Sequence, residues 1–230
     1  MRIIRKTSAV LILYRAVVCA VLMSVLLAGC ASTPVDYYSR AKMYHEAGQL
    51  EKAIADYTQF ILLNPRYAHA YYNRGRAYAA LGKYDRAITD FDQVLAIRPQ
   101  LPEAYVTRAD TYRNMSQFDR ALADYDKAIK INPNYAEAYF GRAEIYAIKG
   151  RHDLALADYG RLIDICPEDI TSQTNRRIYL SRAQAYYHLG EYDKSWQDIG
   201  RVPVWDFRPG YTLLADQKFL QALRVASGRE

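Results

Sequence analysis

The stretch AHAYYNRGRAYAALGKYDRAITDFDQVLAIRPQL, residues 68–101, decides the fold. Tyr71, Gly75 and Tyr78 stand at helical spacing on one face, two rings with a notch between them. Ala87 and Phe91 give the second half a small residue and a large one, so two helices approach closely. Gly82 separates the halves and suits the left-handed residue that closes a helix. Asp85 follows, where it favours the positive start of the next helix. Pro99 lacks the N–H a helix needs and stops the second segment. The stretch reads as two short helices joined by a tight turn.

The same spelling recurs outward in both directions. Counted from Pro34, the units are 34–67, 68–101, 102–135 and 136–169, and a fifth, 176–203, follows the insertion Ile170 to Asn175. Slot 4 is Tyr37, Tyr71, Tyr105, Tyr139 and Tyr179; slot 11 is Tyr44, Tyr78, Tyr112, Tyr146 and Tyr186. Slot 8 is small (Ala41, Gly75, Ala109, Ala143, Ala183), and so is slot 20 (Ala53, Ala87, Ala121, Ala155, Ser195). Slot 24 is large: Tyr57, Phe91, Tyr125, Tyr159 and Ile199. Gly48, Gly82, Ser116, Gly150 and Gly190 mark the turns, and Pro65, Pro99, Pro133, Pro167 and Pro203 the ends. No strand-like alternation interrupts the series.

Over residues 34–203 this pattern resembles the tetratricopeptide repeat family. The resemblance implies an all-α solenoid, a right-handed superhelix of antiparallel helix pairs, with a concave groove lined by the first helix of each unit. Slot 7 is arginine in every unit (Arg40, Arg74, Arg108, Arg142, Arg182), and slot 23 is aspartate (Asp56, Asp90, Asp124, Asp158, Asp198). Five repetitions point to a structural ion pair, either within a unit or between neighbours. If buried, loss of one partner costs ~3–5 kcal/mol; if exposed, ~0–1 kcal/mol. Most of the 22 tyrosines fall in the repeat slots and read as core.

A solenoid's ends expose their stacking faces. Tyr211 to Ala226 forms an amphipathic segment with Leu213, Leu214, Phe219, Leu220 and Leu223, read as a C-terminal capping helix within 204–230. Trp205 to Gly210 is the turn into it. At the other end, Arg2, Arg5, Lys6 and Arg15 precede the apolar run Ala16 to Leu27, as in a secretory signal. Arg15 leaves that run short of the roughly 20 apolar residues a span needs.

The ending Leu27-Ala28-Gly29-Cys30 resembles the lipobox of bacterial lipoproteins. That resemblance implies removal of residues 1–29 and covalent diacylglycerol and N-acyl lipid on Cys30. Ala31 follows the cysteine instead of aspartate, which in that family implies the outer membrane of a Gram-negative cell, facing the periplasm. Residues 30–33 then form a tether of at most about 14 Å.

The net charge of +6 drops to +2 without the first 29 residues, 27 basic side chains against 25 acidic. Such a domain has no strong electrostatic hold on nucleic acid. Without Cys19 and lipidated Cys30, Cys166 has no intramolecular partner and reads as a packing residue. His45, His69, His152 and His188 fall in unrelated slots, and no hydrolase, phosphate-loop or metalloprotease motif appears. No catalytic residue, metal or further cofactor is expected.

The groove is the remaining candidate. The resemblance assigns it slots 2, 5, 6, 9, 12 and 13. Slot 5 gives an apolar stripe, Tyr38, Tyr72, Val106, Phe140 and Leu180, apart from the repeat core. Slot 9 runs from basic to acidic: Lys42, Arg76, Asp110, Glu144, Gln184; Asn73, Arg113 and Tyr187 add polar and aromatic groups. An apolar stripe beside graded charge suits a peptide segment held in one direction. The family's carboxylate clamp is not spelled: Tyr38, Lys42, Asn73, Glu103 and Thr107 stand in its positions, and only Asn73 fits. The sequence thus reads as a non-catalytic, membrane-anchored scaffold or adaptor for a cell-envelope protein. A pilotin-like assembly factor is the alternative, and an enzyme with a cryptic site the remote one.

Overall fold

Helix pairs follow one another through the computed structural model, which describes residues 34–165, 173–202 and 214–229. The expected signal segment, the expected lipidation site Cys30 with its tether, Cys166 and the expected turn over Trp205–Gly210 lie outside the described residues. The pairs are α1 (Pro34–Glu46) with α2 (Leu50–Leu63), α3 (Ala68–Ala80) with α4 (Tyr84–Ile97), and α5 (Pro102–Asn114) with α6 (Phe118–Ile131). Then come α7 (Ala136–Ile148) with α8 (His152–Ile165), α9 (Gln173–His188) with α10 (Tyr192–Arg201), and α11 (Leu214–Ser227). No strand occurs among the described residues.

The chain divides into two compact units, Met1–Pro65 and Arg66–Glu230. In the first, α1 and α2 enclose Ala41, Ala53 and Tyr57. In the second, each pair packs its second helix on the next pair's first helix, and α3, α5, α7 and α9 neighbour one another. First helices therefore share one side of a stack.

Local chemistry sets each boundary. Gly48, Gly82, Gly150 and Gly190 take φ of 71°, 70°, 72° and 77°, and Ser116 takes 58° in the same turn position. The next residue's N–H then returns to the carbonyl of the slot-11 tyrosine, as in Gln117 to Tyr112 at 2.9 Å. Second helices such as α4 and α6 start without a side-chain cap, and Asp85 and Asp119 supply negative charge in their first turns. Asn64, Arg98 and Asn132, each before a proline, are pushed to φ near −134°, −133° and −130°, outside the helical region. The fifth unit departs from the expected start at residue 176. Its first helix begins at Gln173, inside the insertion, because no glycine or proline there delays it.

Small residues at slots 8 and 20 are fully buried, and slot-24 side chains fill the space they leave. Ser195 is tolerated there because its hydroxyl donates to the Ala183 carbonyl at 2.8 Å. All five slot-7 arginines grip the slot-23 aspartate of their own unit through two hydrogen bonds, for example Arg74 Nε and Nη2 to Asp90 at 2.8 and 2.7 Å. The clip is therefore within the unit. Arg108 and Arg142 also reach back to Asp92 and Asp126 of the preceding unit.

Slot-4 and slot-11 tyrosines flank these guanidinium groups, with Arg74 5.6 Å from the Tyr71 centroid and 6.0 Å from that of Tyr78. The paired tyrosines thus wall the ion pair as well as filling space. For Arg142, the hydrogen bond it donates to Asp158 raises the pKa above its ordinary value against the cost of burial.

At the end of the stack, Leu223 of α11 is fully buried against Tyr179, Leu180, Ile199 and Val202. Trp196 Nε1 donates to Ser227 Oγ at 3.0 Å, and Arg229 pairs with Asp193 at 2.8 Å.

Candidate functional site

Within the second unit, α5, α7 and α9 bring side chains from three successive repeats to one place. Asp110 pairs with Arg113 at 3.1 Å one helical turn away. Arg113 extends to Glu144 on α7, and Glu144 also accepts from Arg177 Nη2 on α9 at 3.1 Å. The Arg177 guanidinium lies 4.8 Å from the Phe140 ring centroid. An ionic chain thus crosses three first helices over an aromatic floor. Burial works against the Arg113 charge, but Tyr125, Asp110 and Glu144 outweigh it and raise the pKa.

One core residue breaks through to this surface. Tyr125, fully buried in slot 24, donates its phenolic hydrogen to Asp110 at 2.6 Å. It passes Gly141 of α7, where an added Cβ would stand 2.3 Å from Tyr125 Cζ. Burial first, then the Asp110 charge, raise the phenol's pKa, so it remains a donor. Slot 6 is otherwise Ser39, Asn73, Thr107 and Ser181, and that single glycine was the available signal in the sequence.

Two cavities flank the ionic chain and share Arg113, Glu144 and Arg177. One, about 480 Å³, adds Asp110, Glu137 and the apolar Phe140, Leu162 and Ile178. The other, about 660 Å³, adds Ser181, Gln184, His152 and His188. The two imidazoles stack with centroids 4.5 Å apart and planes 10° from parallel. Along the sequence these histidines stand in different repeat slots. They meet because slot 17 of one unit faces slot 13 of the next, and Phe118 and Ile148 repeat those slots one unit earlier in the same cavity. Burial, then the charge of His188, lower the pKa of His152. No group of three or more histidine, cysteine or acidic side chains placed to hold a metal ion occurs among the described residues.

The expected groove residues divide. Asp110, Arg113, Phe140 and Glu144 line these cavities. Tyr72 donates to Thr107 Oγ1 at 3.0 Å, whose own hydrogen goes to the Glu103 carbonyl, and so ties α3 to α5. Arg76 is exposed, 5.9 Å from the Tyr72 centroid, and Asn73 is half-buried on the same helix. In the first unit Lys42 is exposed, whereas Tyr38 packs 5.2 Å from Phe60.

The expectation that slot 5 stands apart from the core is corrected. Val106 and Leu180 are 6% and 7% exposed and belong to core clusters, Val106 under the next pair's first helix and Leu180, in the last pair, under α11. Tyr187 is likewise taken up by the cap, in edge contact with Phe219 at 5.7 Å.

Two models described as tetratricopeptide repeat match this chain, one over residues 41–110 and one over 106–170. A search of curated proteins finds no match. Solved structures similar to it include MamA, 23% identical over 74% of this chain and 90% of that one, with a TM-score of 0.65. A tetratricopeptide repeat protein from Parabacteroides merdae is 21% identical over 87% of this chain and 74% of its own, with a TM-score of 0.64. YrrB, described as a TPR protein with an unusual peptide-binding site, is 18% identical over 86% and 97%, with a TM-score of 0.63.

Proposed function

We infer the function from one premise: the chain belongs to the tetratricopeptide repeat family. Its coarse role is that of a protein-binding scaffold. The finer reading is a non-catalytic adaptor whose groove over α5, α7 and α9 takes a peptide segment of a cell-envelope protein. The observation that carries it is the convergence of Asp110, Arg113, Phe140, Glu144 and Arg177 from three repeats beside two cavities. Fixed charge beside apolar depth gives orientation and affinity together. The peptide-binding site of YrrB, a protein of the same fold, supports a peptide as the occupant.

The lipobox-like Leu27-Ala28-Gly29-Cys30 supports a lipid anchor in the outer membrane on the periplasmic side. Three acyl chains, at ~0.8 kcal/mol per buried methylene, would hold it there durably. Metabolic labelling with an alkyne fatty acid checks this: the intact chain takes up label and sediments with membranes, and Cys30→Ala does neither. Labelling that survives Cys30→Ala removes the anchor from the proposal.

The groove is tested by a photocrosslinking residue at Gln184 in the native envelope, in the intact chain and in Phe140→Ala/Arg177→Ala. A defined partner captured by the first and lost by the second supports the groove. Capture that survives both substitutions moves the interface elsewhere. A partner that is an outer-membrane pore subunit would favour the pilotin-like role over the general adaptor.

A further inference from the structure

We propose that the cavity floored by Phe140, Leu162 and Ile178 takes an aliphatic side chain of an extended peptide, whose lysine or arginine two residues away meets the carboxylates of Glu137 and Glu103. This rests on the groove reading above and names the chemistry of the occupant. Leu162 and Ile178 are 1% and 2% exposed, and Phe140 is half-buried. Ala136 and Gly141 add no polar side chain to the same cavity. The Arg177 guanidinium lies against the Phe140 ring as a further wall, its charge turned to Glu144. An aliphatic side chain placed there leaves water without covering an unpaired donor.

The charges beside the cavity decide what accompanies that side chain. Asp110, Arg113, Glu144 and Arg177 form a neutral chain, two carboxylates against two guanidinium groups, and Asp110 also accepts from Tyr125. Glu137 lines the cavity in addition, exposed and in no ion pair among the described residues. Glu103 stands in the same slot one unit earlier, on α5, and is likewise exposed and outside any ion pair among the described residues. Both act on one neighbour: burial first, then the charges of Glu137, Glu103 and Asp110, hold the Tyr135 phenol above its ordinary pKa. Exposed Arg76 on α3 balances at most one of the two, so the surplus is negative. Glu137 and Phe140 lie one turn apart on α7, about 4.5 Å along the axis. Alternate residues of an extended chain share a face about 7 Å apart. An aliphatic residue in the cavity therefore brings the residue two positions on within reach of Glu137, where a cation is favoured over an acid.

The test uses the full chain in a nonionic detergent and three tetramethylrhodamine-labelled peptide amides, ALSKA, ALSEA and ASSKA, followed by fluorescence anisotropy at pH 7.5. ALSKA is expected to bind at least about fivefold more tightly than either of the others. Glu103→Gln/Glu137→Gln should weaken ALSKA about threefold and bring ALSEA close to it, with the thermal midpoint unchanged because both carboxylates are exposed. Equal binding of ALSKA and ALSEA, lost in Phe140→Ala, would overturn the basic preference and leave the groove standing. Equal binding of ALSKA and ASSKA would overturn the aliphatic pocket. Self-association of the chain that Glu103→Gln/Glu137→Gln abolishes, with no peptide bound, would give the surface to a second copy and overturn the inference. Binding of none of the peptides overturns it as well, while capture from Gln184 judges the groove independently.

Discussion

Arg108 and Arg113 lie five residues apart on α5, and both pair with carboxylates, yet they belong to different parts of the molecule. Arg108 is one of five identical clips, its side chain 15% exposed and its partner Asp124 only 5%. Arg113 occurs once, in slot 12, where the other units carry different side chains, and its partners lie on the open side of the stack. An ion pair that every repeat spells is solving a problem that every repeat has, the docking of two short helices. One spelled once answers to something outside the repeat. Repetition separates the architectural pair from the proposed recognition surface here better than charge or burial does.

The contrast is sharpest in stability. Arg108→Ala leaves Asp124 charged in a nearly closed site and is expected to cost about 3–5 kcal/mol in urea unfolding. Asp92→Asn removes only the half-exposed second partner of Arg108 and should cost less than about 1 kcal/mol. Similar losses from both would mean that the clip acts between units rather than within them.

Gly141→Ala comes next. Its methyl group must displace the Tyr125 ring, an overpacking cost of about 1–3 kcal/mol. The displaced phenol would also release Asp110, so groove binding should weaken with stability. A neutral Gly141→Ala would show that Tyr125 reaches Asp110 by another path.

Ser116→Gly acts in the opposite direction. It relieves the sole non-glycine residue at positive φ among those described and should stabilise the chain by about 0.5–1 kcal/mol in a thermal melt. Arg177→Ala has the smallest effect on folding, below about 0.5 kcal/mol, because its partner Glu144 keeps Arg113.

These expectations follow the line between what one copy of the repeat reveals and what it hides. Helix pairs, turns, the clip and the buried small residues were legible because the same constraint acts five times and the spacing exposes it. The slot-5 reading failed for Val106 and Leu180 because a residue at the edge of a helix face is assigned by what packs on it next, the following pair for Val106 and α11 for Leu180, which one unit's spacing does not describe. The early start of α9 at Gln173 depends on an insertion that no other unit shares. His152 and His188 meet only across a unit boundary, and Tyr125 reaches Asp110 only where slot 6 loses its side chain. The residues proposed for recognition sit where the repeats differ, so the repeat itself cannot announce them.

The division between clip and groove is tested most directly by measuring unfolding free energy and Gln184 crosslinking together in Arg108→Ala and Arg177→Ala. Arg108→Ala should lose several kcal/mol of stability, and Arg177→Ala should keep its stability and lose the crosslinked partner. An Arg177→Ala chain that unfolds as readily as Arg108→Ala, or that keeps its partner at full yield, would contradict the separation of architecture from recognition.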